Sequence, residues 1–212
     1  MYRGRPDDAG DYFQKGLDLA IELGKKNEQV QIELNLGINY LRSGEILKSE
    51  KILKSAFQRA ENLEFELGMQ LALLALSDLK LKTGDFPASL AFSESLMKRM
   101  QQARFSDVKA MTLSNMASAC LGMEQISKAS QLLKEALDAG KAEENYAVII
   151  DAVAVKVELL LAKDRIDDAL EQSQFLVSLV EKHKEREFAS RAMALNAECL
   201  CSKGLIEESL KI

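Results

Sequence analysis

Residues that interrupt helices are scarce in this chain. Its 212 residues include two prolines and eleven glycines, and there is no tryptophan. Proline costs about 3 kcal/mol and glycine about 1 kcal/mol inside a helix, so their scarcity leaves long stretches free to be helical. Leucine, alanine, glutamate and lysine, which favour helices, are used often instead. The composition therefore predicts an all-α protein.

Residues that carry catalysis or bind metals are also scarce. The three cysteines, Cys120, Cys199 and Cys201, are an odd number, so a disulfide framework is not expected and we predict small buried side chains. The single histidine, His183, lies in the charged run 181–187, which we expect to be an exposed link. No glycine-rich phosphate loop, metal-ligand cluster or nucleophile elbow is found. The sequence therefore predicts no enzyme and no cofactor.

Neither a basic surface nor a long apolar run is evident. The formal net charge is -5, and no basic cluster suited to nucleic acid or to an anionic membrane occurs. The longest apolar runs, such as residues 71–76, are far shorter than the roughly 20 residues that span a bilayer. The N-terminus is charged and lacks the apolar core of a signal peptide. We expect a cytoplasmic protein that binds neither nucleic acid nor membranes.

What the chain does have is a spacing of forty residues between similar positions. One position is small or modest in size and reads Gly37, Ser77, Ala117, Val157 and Ala197. A second position is always small and reads Ala9, Ser49, Ser89, Ala129, Ala169 and Ser209. A turn position reads Gly4, Gly44, Gly84, Glu124, Asp164 and Gly204. This strict periodicity predicts a solenoid of helical hairpins, in which each hairpin buries a face against its neighbours.

The repeat boundaries follow from this spacing. We expect one superhelical domain over residues 1–212 with about eleven helices. It divides into a half repeat at 4–27, repeats at about 28–65, 66–105, 106–145 and 146–185, and a partial repeat at 186–212. Because the chain starts and stops inside a repeat, we expect it to be part of a longer array. The alternative is that its uncapped ends pair with another molecule, which includes self-association.

Several helix ends are predicted from local residue preferences. Asn27, Asp85 and Ser106 stand where an N-cap is wanted, because their side chains accept a hydrogen bond from the first turn. Gly24 and Gly140 follow predicted helix ends, where glycine adopts the left-handed conformation at little cost. These residues place the turns between hairpins.

Two segments resemble the tetratricopeptide (TPR) signature. The first is the run Asn35-Leu36-Gly37-x-x-Tyr40-x-x-x-Gly44-x-Ile46-x-x-Ser49-x-x-x-Leu53-x-x-Ala56, and the second lies at 115–136. Other repeats depart from the pattern, with Ser93 and Ser173 where a large apolar residue is common. The usual TPR period is about 34 residues, so a period of forty implies longer helices or longer links. Forty-residue variants resemble the repeats of cell-polarity and spindle-orientation adaptors, Rap-type regulators and MalT-like activators.

The resemblance implies a right-handed α-solenoid of TPR-like hairpins. The first helix of each hairpin then lines a concave groove, in which a protein or peptide segment binds. The groove residues implied for this chain are Gln31, Asn35, Ile38, Arg42, Leu71, Ala75, Asp78, Lys82, Met111, Asn115, Ser118, Asp151, Val155, Glu158, Arg191, Leu195 and Glu198.

The polar members of this set indicate what would bind there. Asn35 and Asn115 each offer a donor and an acceptor, which suits the backbone of an extended peptide. Arg42 and Lys82 would meet an acidic group, whereas the aspartate and glutamates near the C-terminus would meet a basic one. The alternative is that the charges form a solvated face and the asparagines bond to neighbouring helices.

The sequence leaves three classes of function open. The sequence favours a non-catalytic interaction scaffold that binds a protein or peptide. A ligand- or peptide-sensing domain of a signalling or transcription regulator is the alternative, since such domains use the same repeats. An enzyme would need a composite site that no motif reveals.

Overall fold

The structure is a computed structural model and describes residues 6–103 and 108–209. Within these ranges it contains eleven α-helices and no strand, and a short 3₁₀ helix at Arg186–Phe188 precedes the tenth helix. The helices are α1 (Pro6–Glu22), α2 (Lys26–Arg42), α3 (Ile46–Asn62), α4 (Glu66–Lys82), α5 (Phe86–Ala103), α6 (Lys109–Gly122), α7 (Ile126–Ala142), α8 (Tyr146–Ala162), α9 (Ile166–His183), α10 (Ala189–Ser202) and α11 (Ile206–Ser209). The predicted all-α class is confirmed. We call α2, α4, α6, α8 and α10 the first helices, and the others the second helices.

Short links of one geometry join the helices. In the link between α2 and α3, the N–H of Glu45 donates to the carbonyl of Tyr40 at 2.8 Å and the N–H of Gly44 to that of Leu41 at 3.3 Å. This pair of bonds is the Schellman motif, which ends a helix with one left-handed residue. Left-handed residues recur every twenty residues wherever the links are described, at Gly24, Gly44, Glu64, Gly84, Glu124, Glu144, Asp164, Lys184 and Gly204. The predicted turn positions are therefore confirmed from Gly44 onward, and Gly4 lies outside the described residues.

These links account for the unusual period. Helices α2, α3, α4, α7 and α8 each contain 17 residues. Three linking residues complete each step of twenty, so two steps give the forty-residue repeat. Of the two explanations left open by the sequence, longer helices rather than longer links are therefore the correct one.

Glycine at a left-handed link position is expected to stabilise the chain. Glu124 has a φ of 60° at the position that is glycine in the two preceding hairpins. Because a Cβ is disfavoured in this conformation, Glu124→Gly should raise the free energy of unfolding by about 0.5–1 kcal/mol. Urea denaturation measures this change. The control Glu135→Gly, inside α7, should lower the same free energy by about 1 kcal/mol, and a loss of stability in both variants would refute the turn assignment.

The predicted capping residues are partly correct. Asp85 caps α5, since its Oδ1 accepts a hydrogen bond of 3.3 Å from the backbone N–H three residues later. Asn27 is not a cap, because α2 begins before it, and Gly140 lies inside α7. Ser106 lies outside the described residues. Asn145, which was not predicted, caps α8 through the same 3.3 Å contact to the N–H three residues on.

The chain forms two compact units, Met1–Phe105 and Ser106–Ile212. In the first unit, the core is built mainly from leucine, alanine and valine side chains of α2, α3 and α4, such as Val30, Leu53 and Leu79. In the second unit, the core comes from α8, α9 and α10, and Ile150 and Leu176 are among its fully buried side chains. In both, the buried residues follow the helical spacing of the repeat.

Small residues let paired helices approach within a hairpin. The Oγ of Ser49 on α3 donates to the carbonyl of Gly37 on α2 at 2.8 Å. A Cβ at Gly37 would lie 2.5 Å from Cδ2 of Leu53, so any side chain at this position would force Leu53 or the helix backbones to shift. In the next hairpin Ser77 and Ser93 occupy the same two positions, and their hydroxyls bond at 2.8 Å. The small residue Ser93, which departs from the TPR pattern, therefore leaves room for Ser77, which is larger than the glycine of the preceding hairpin.

The cysteines divide between the core and the surface. Cys120 and Cys199 are buried as predicted, and burial raises the pKa of the Cys199 thiol. Cys201 is exposed, so the prediction of burial is wrong there. The reason is geometric, since residues two apart on a helix point to different faces and Cys199 occupies the buried one.

Candidate partner-binding surface

In the first unit, the predicted groove residues lie on α2 and α4. Most of them are exposed, whereas Ile38 and Leu71 are half-buried and Ala75 is buried. Among the residues that the structure describes, the side chains of Gln31 and Asn35 make no hydrogen bond. Their amides are therefore available to a partner. The exposed members of the set are Gln31, Asn35, Arg42, Asp78 and Lys82.

In the second unit, the predicted residues lie on α6, α8 and α10 and are less exposed. Met111 and Glu198 are exposed, while Ser118 is half-buried and Val155 and Leu195 are buried. Asn115 is buried as well, although it occupies the same repeat position as the exposed Asn35. Little of the Asn115 amide can reach a partner.

Asp151 on α8 connects three first helices. Its Oδ2 accepts a hydrogen bond of 2.5 Å from the hydroxyl of Ser114 on α6. Its Oδ1 accepts one of 2.6 Å from Nη1 of Arg191 on α10. The other terminal nitrogen, Nη2 of Arg191, donates to Oε1 of Glu158 at 2.9 Å. Three of the predicted groove residues, Asp151, Glu158 and Arg191, therefore bind one another across the face of the unit.

The Arg191 guanidinium is held in its charged form by these contacts. Burial lowers its pKa, but the carboxylates of Glu158 and Asp151 raise it by more, so the net shift is upward. Charge-assisted hydrogen bonds of this length are the stronger kind. They fix the position of the Glu158 carboxylate on the surface.

The sequence analysis did not identify this network, although one signal was present. Asp151 and Arg191 are forty residues apart, so they occupy equivalent positions on successive first helices and carry opposite charges. Ser114 gave no such signal, because it stands one residue before Asn115 and so is not at a predicted groove position. Its contact with Asp151 depends on how α6 packs against α8.

An open pocket of about 560 Å³ lies beside this network. It is formed by the C-terminal ends of α8 and α10 together with the link to α9 and the first residue of α9. Three of its lining residues carry a carboxylate and none is basic. Its lining is Glu158, Leu161, Ala162, Asp164, Ile166, Glu198 and Ser202. We call this the acidic pocket.

Two effects make the acidic pocket attractive to cations. Its carboxylates are joined by the C-terminal ends of two helices, which carry partial negative charge. Of the basic residues next to it in sequence, Arg165 pairs with Asp168 at 2.6 Å, Lys203 pairs with Asp167 at 2.8 Å, and Lys163 donates to Ser130 at 3.5 Å. Arg191 offsets part of the charge of Glu158, and the carboxylates of Asp164 and Glu198 leave the lining with an excess of negative charge.

In the described part of the chain, no group of three histidine, cysteine or acidic side chains is placed to hold a metal ion. No helix described here is long and apolar enough to cross a membrane. His183 is half-buried and stacks on Tyr146, with ring centroids 3.7 Å apart. The expected exposed link is therefore wrong at His183, because the ring packs against the start of α8.

Comparisons with known proteins support the fold. No protein-family model matches the sequence, and no curated protein matches it. Among solved structures, BtubC (BKLC) from P. vanneervenii is similar with a TM-score of 0.72 and 14% identity, over 98% of this chain and 88% of that one. A Rap protein complexed with Competence and Sporulation Factor is similar with a TM-score of 0.64 and 14% identity. A STAND protein with a tetratricopeptide repeat sensor from Pyrococcus horikoshii has a TM-score of 0.62 and 17% identity.

The extent of these matches differs. The Rap match covers 94% of this chain but 59% of Rap, and the STAND match covers 97% of this chain but 34% of the STAND protein. At such identities the similarity establishes the fold and not the activity. Together with the twenty-residue helix spacing, these matches show that the chain has the fold of TPR-like repeat proteins.

Proposed function

We propose that this chain is a non-catalytic interaction scaffold that binds a protein or peptide segment along its first helices. In the second unit, the bound segment places a lysine or arginine side chain in the acidic pocket. The observation that carries the proposal is this pocket, which combines three carboxylates with two helix C-termini. The similar Rap structure, which is complexed with Competence and Sporulation Factor, supports the use of such a scaffold for binding.

The shape and lining of the pocket suit a long basic side chain. Leu161 and Ile166 offer apolar contact to the methylene groups of a lysine or arginine, while the charged end meets the carboxylates. Arg191 holds Glu158 in place through one carboxylate oxygen. A site that is already ordered loses less entropy when a partner binds.

Selection from a phage-displayed library of random peptides tests the proposal. The wild-type chain should enrich peptides that contain lysine or arginine. The triple variant Glu158→Gln, Asp164→Asn, Glu198→Gln removes the three carboxylates with little change of shape. Its affinity for the enriched peptides should fall at least about tenfold, because charge complementarity is lost.

A matched control distinguishes the loss of the pocket carboxylates from the change in total charge. The variant Glu135→Gln, Asp138→Asn, Glu171→Gln removes three exposed carboxylates from the second helices α7 and α9 and changes the net charge equally. It should bind the enriched peptides as tightly as wild type. Equal loss in both variants, or no enrichment of basic peptides, would refute the proposed site.

A further inference from the structure

An open cleft of about 340 Å³ lies in the first unit, where the start of α2 meets the C-terminal ends of α1 and α3. Two of its lining residues, Lys26 and Arg59, are basic, and none is acidic. Its volume is near the lower end of the range typical of small-molecule sites. We call this the basic cleft.

In two other hairpins, the residue equivalent to Lys26 contacts the C-terminal part of the second helix. Forty residues on, Glu66 at the start of α4 accepts a hydrogen bond of 3.2 Å from Nη1 of Arg99 on α5. Eighty residues on, Tyr146 at the start of α8 stacks on His183 at the end of α9, with ring centroids 3.7 Å apart. Among the described residues, the ammonium group of Lys26 has no hydrogen-bond or ion-pair partner. The basic cleft is the corresponding place without such a contact.

The basic cleft lies on the side of α2 that faces the following helix. In the next hairpin, α2 lies against Gly68 of α4, since a Cβ on Gly68 would be 3.0 Å from Cγ1 of Val30. Glu66 stands two residues before Gly68, so it points to a different face of α4 and meets α5 instead. Glu61, the equivalent of the cleft residue Ile21, is exposed although α2 precedes its helix. A helix packed on the other face of α2 would therefore leave the cleft open.

Arg59 defines one part of the ligand. Its Nε and Nη2 each donate a hydrogen bond of 3.1 Å to Glu33, which leaves Nη1 without a partner among the described residues. In Arg99, at the same repeat position, Nη1 is the atom that binds the carboxylate of Glu66. Lys26 cannot supply that carboxylate, but its ammonium group is a second cationic donor. A carboxylate on a ligand would be bound by both residues through charge-assisted hydrogen bonds.

The charges around the basic cleft favour an anionic ligand. Glu33 offsets the charge of Arg59, whereas Lys26 keeps its charge uncompensated. The helix C-termini at the cleft carry partial negative charge of about half a unit each, and the start of α2 carries a similar positive charge. The sum is an excess of positive charge. The acidic residues next to the cleft in sequence, which are Glu22, Glu28 and Glu61, do not line it.

Three other lining residues define the rest of the ligand. Gln29 is 7% exposed, and its Nε2 donates to the carbonyl of Ala20 at 3.1 Å. Its Oε1 has no partner among the described residues and can only accept, so it favours a ligand with an N–H. Ile21, which is 57% exposed, and Leu63 offer apolar contact. The ligand thus combines a carboxylate, an N–H and an apolar group.

We propose that the basic cleft binds a small organic acid of the N-acylated amino acid type. Its carboxylate lies between Lys26 and Arg59 and takes the place that the Glu66 side chain fills in the next hairpin. Its N–H donates to Gln29, and its apolar side chain packs on Ile21 and Leu63. The proposal does not depend on the acidic pocket, which lies in the other unit, so either can fail without the other.

Amide NMR spectra of the isotope-labelled full chain, titrated with N-acetyl-leucine, test this proposal. Saturable shifts should occur within residues 21–29 and 59–63. N-acetyl-leucinamide lacks the negative charge and should bind at least about tenfold more weakly. The variant Lys26→Glu should abolish saturable binding, because its own carboxylate then pairs with Arg59 as Glu66 pairs with Arg99.

Two neighbouring lysines provide a matched control. Lys25→Gln and Lys26→Gln change the net charge equally, but only Lys26 lines the cleft. Lys26→Gln should weaken binding at least about fivefold, because a charged hydrogen bond is lost, and Lys25→Gln should leave it unchanged.

Four outcomes would overturn the proposal. The first is the absence of saturable shifts in the two segments, and the second is an equal loss of affinity in both glutamine variants. The third is undiminished binding by Lys26→Glu. The fourth is much tighter binding of a longer peptide with the same leucine at its C-terminus, since a peptide end would then be the ligand.

Discussion

Replacing Gly37 with valine is expected to lower the free energy of unfolding by about 3 kcal/mol. Any Cβ at this position would lie 2.5 Å from Cδ2 and 2.7 Å from Cγ of Leu53. Overpacking of this kind forces helices apart or side chains off their rotamers. Urea denaturation gives the value. The control Gly16→Val, where the nearest side-chain atom would be 3.7 Å from the new Cβ, should change stability by less than about 1 kcal/mol.

A compensating change on the facing helix tests the cause. In the hairpin of α8 and α9 the same two positions hold Val157 and Ser173, both fully buried. Adding Leu53→Ser to Gly37→Val should therefore cost at least about 1 kcal/mol less than the sum of the single changes. If the two losses of stability simply added, the size tolerated at residue 37 would not depend on the size of residue 53.

Replacing Arg59 with methionine is expected to have the second largest effect, a loss of about 2 kcal/mol. Glu33 is 5% exposed, and its two carboxylate oxygens accept hydrogen bonds from Nε and Nη2 of Arg59. Without the guanidinium, a nearly buried carboxylate is left unpaired. This loss is smaller than that for a fully buried ion pair, because Arg59 is itself partly exposed. Thermal and urea denaturation measure the loss.

Two variants identify the unpaired carboxylate as the cause. Adding Glu33→Leu to Arg59→Met should recover most of the lost stability, because no charge then remains buried. The control is Arg99→Met at the same repeat position, whose partner Glu66 is partly exposed. It should cost less than about 1 kcal/mol. Equal losses at Arg59 and Arg99 would contradict the role assigned to burial.

Features set by local geometry could be predicted from the sequence. The turn positions from Gly44 onward were correct even where the residue is Glu124 or Asp164, because a strict period identifies a position whatever residue fills it. The helical hairpins were predicted in the same way, from the small residues that recur every forty residues. Asn27 and Gly140 were misplaced because both residue types are common within helices as well as at their ends.

The candidate site was less predictable, because its chemistry depends on neighbouring helices. Asn35 and Asn115 share a repeat position, yet one is exposed and the other buried. The pairing of Asp151 with Arg191 joins residues on different helices, and the acidic pocket exists only where the ends of α8 and α10 meet the start of α9. Periodicity gives the position of a residue on its helix but not the side chains that it faces.

The most direct test of the proposed binding site is a crystal structure of the chain bound to a peptide selected by phage display. We expect a lysine or arginine side chain within hydrogen-bond distance of Glu158, Asp164 or Glu198, with its methylene groups against Leu161 or Ile166. A peptide seated on the second helices, with the acidic pocket filled only by solvent, would contradict it.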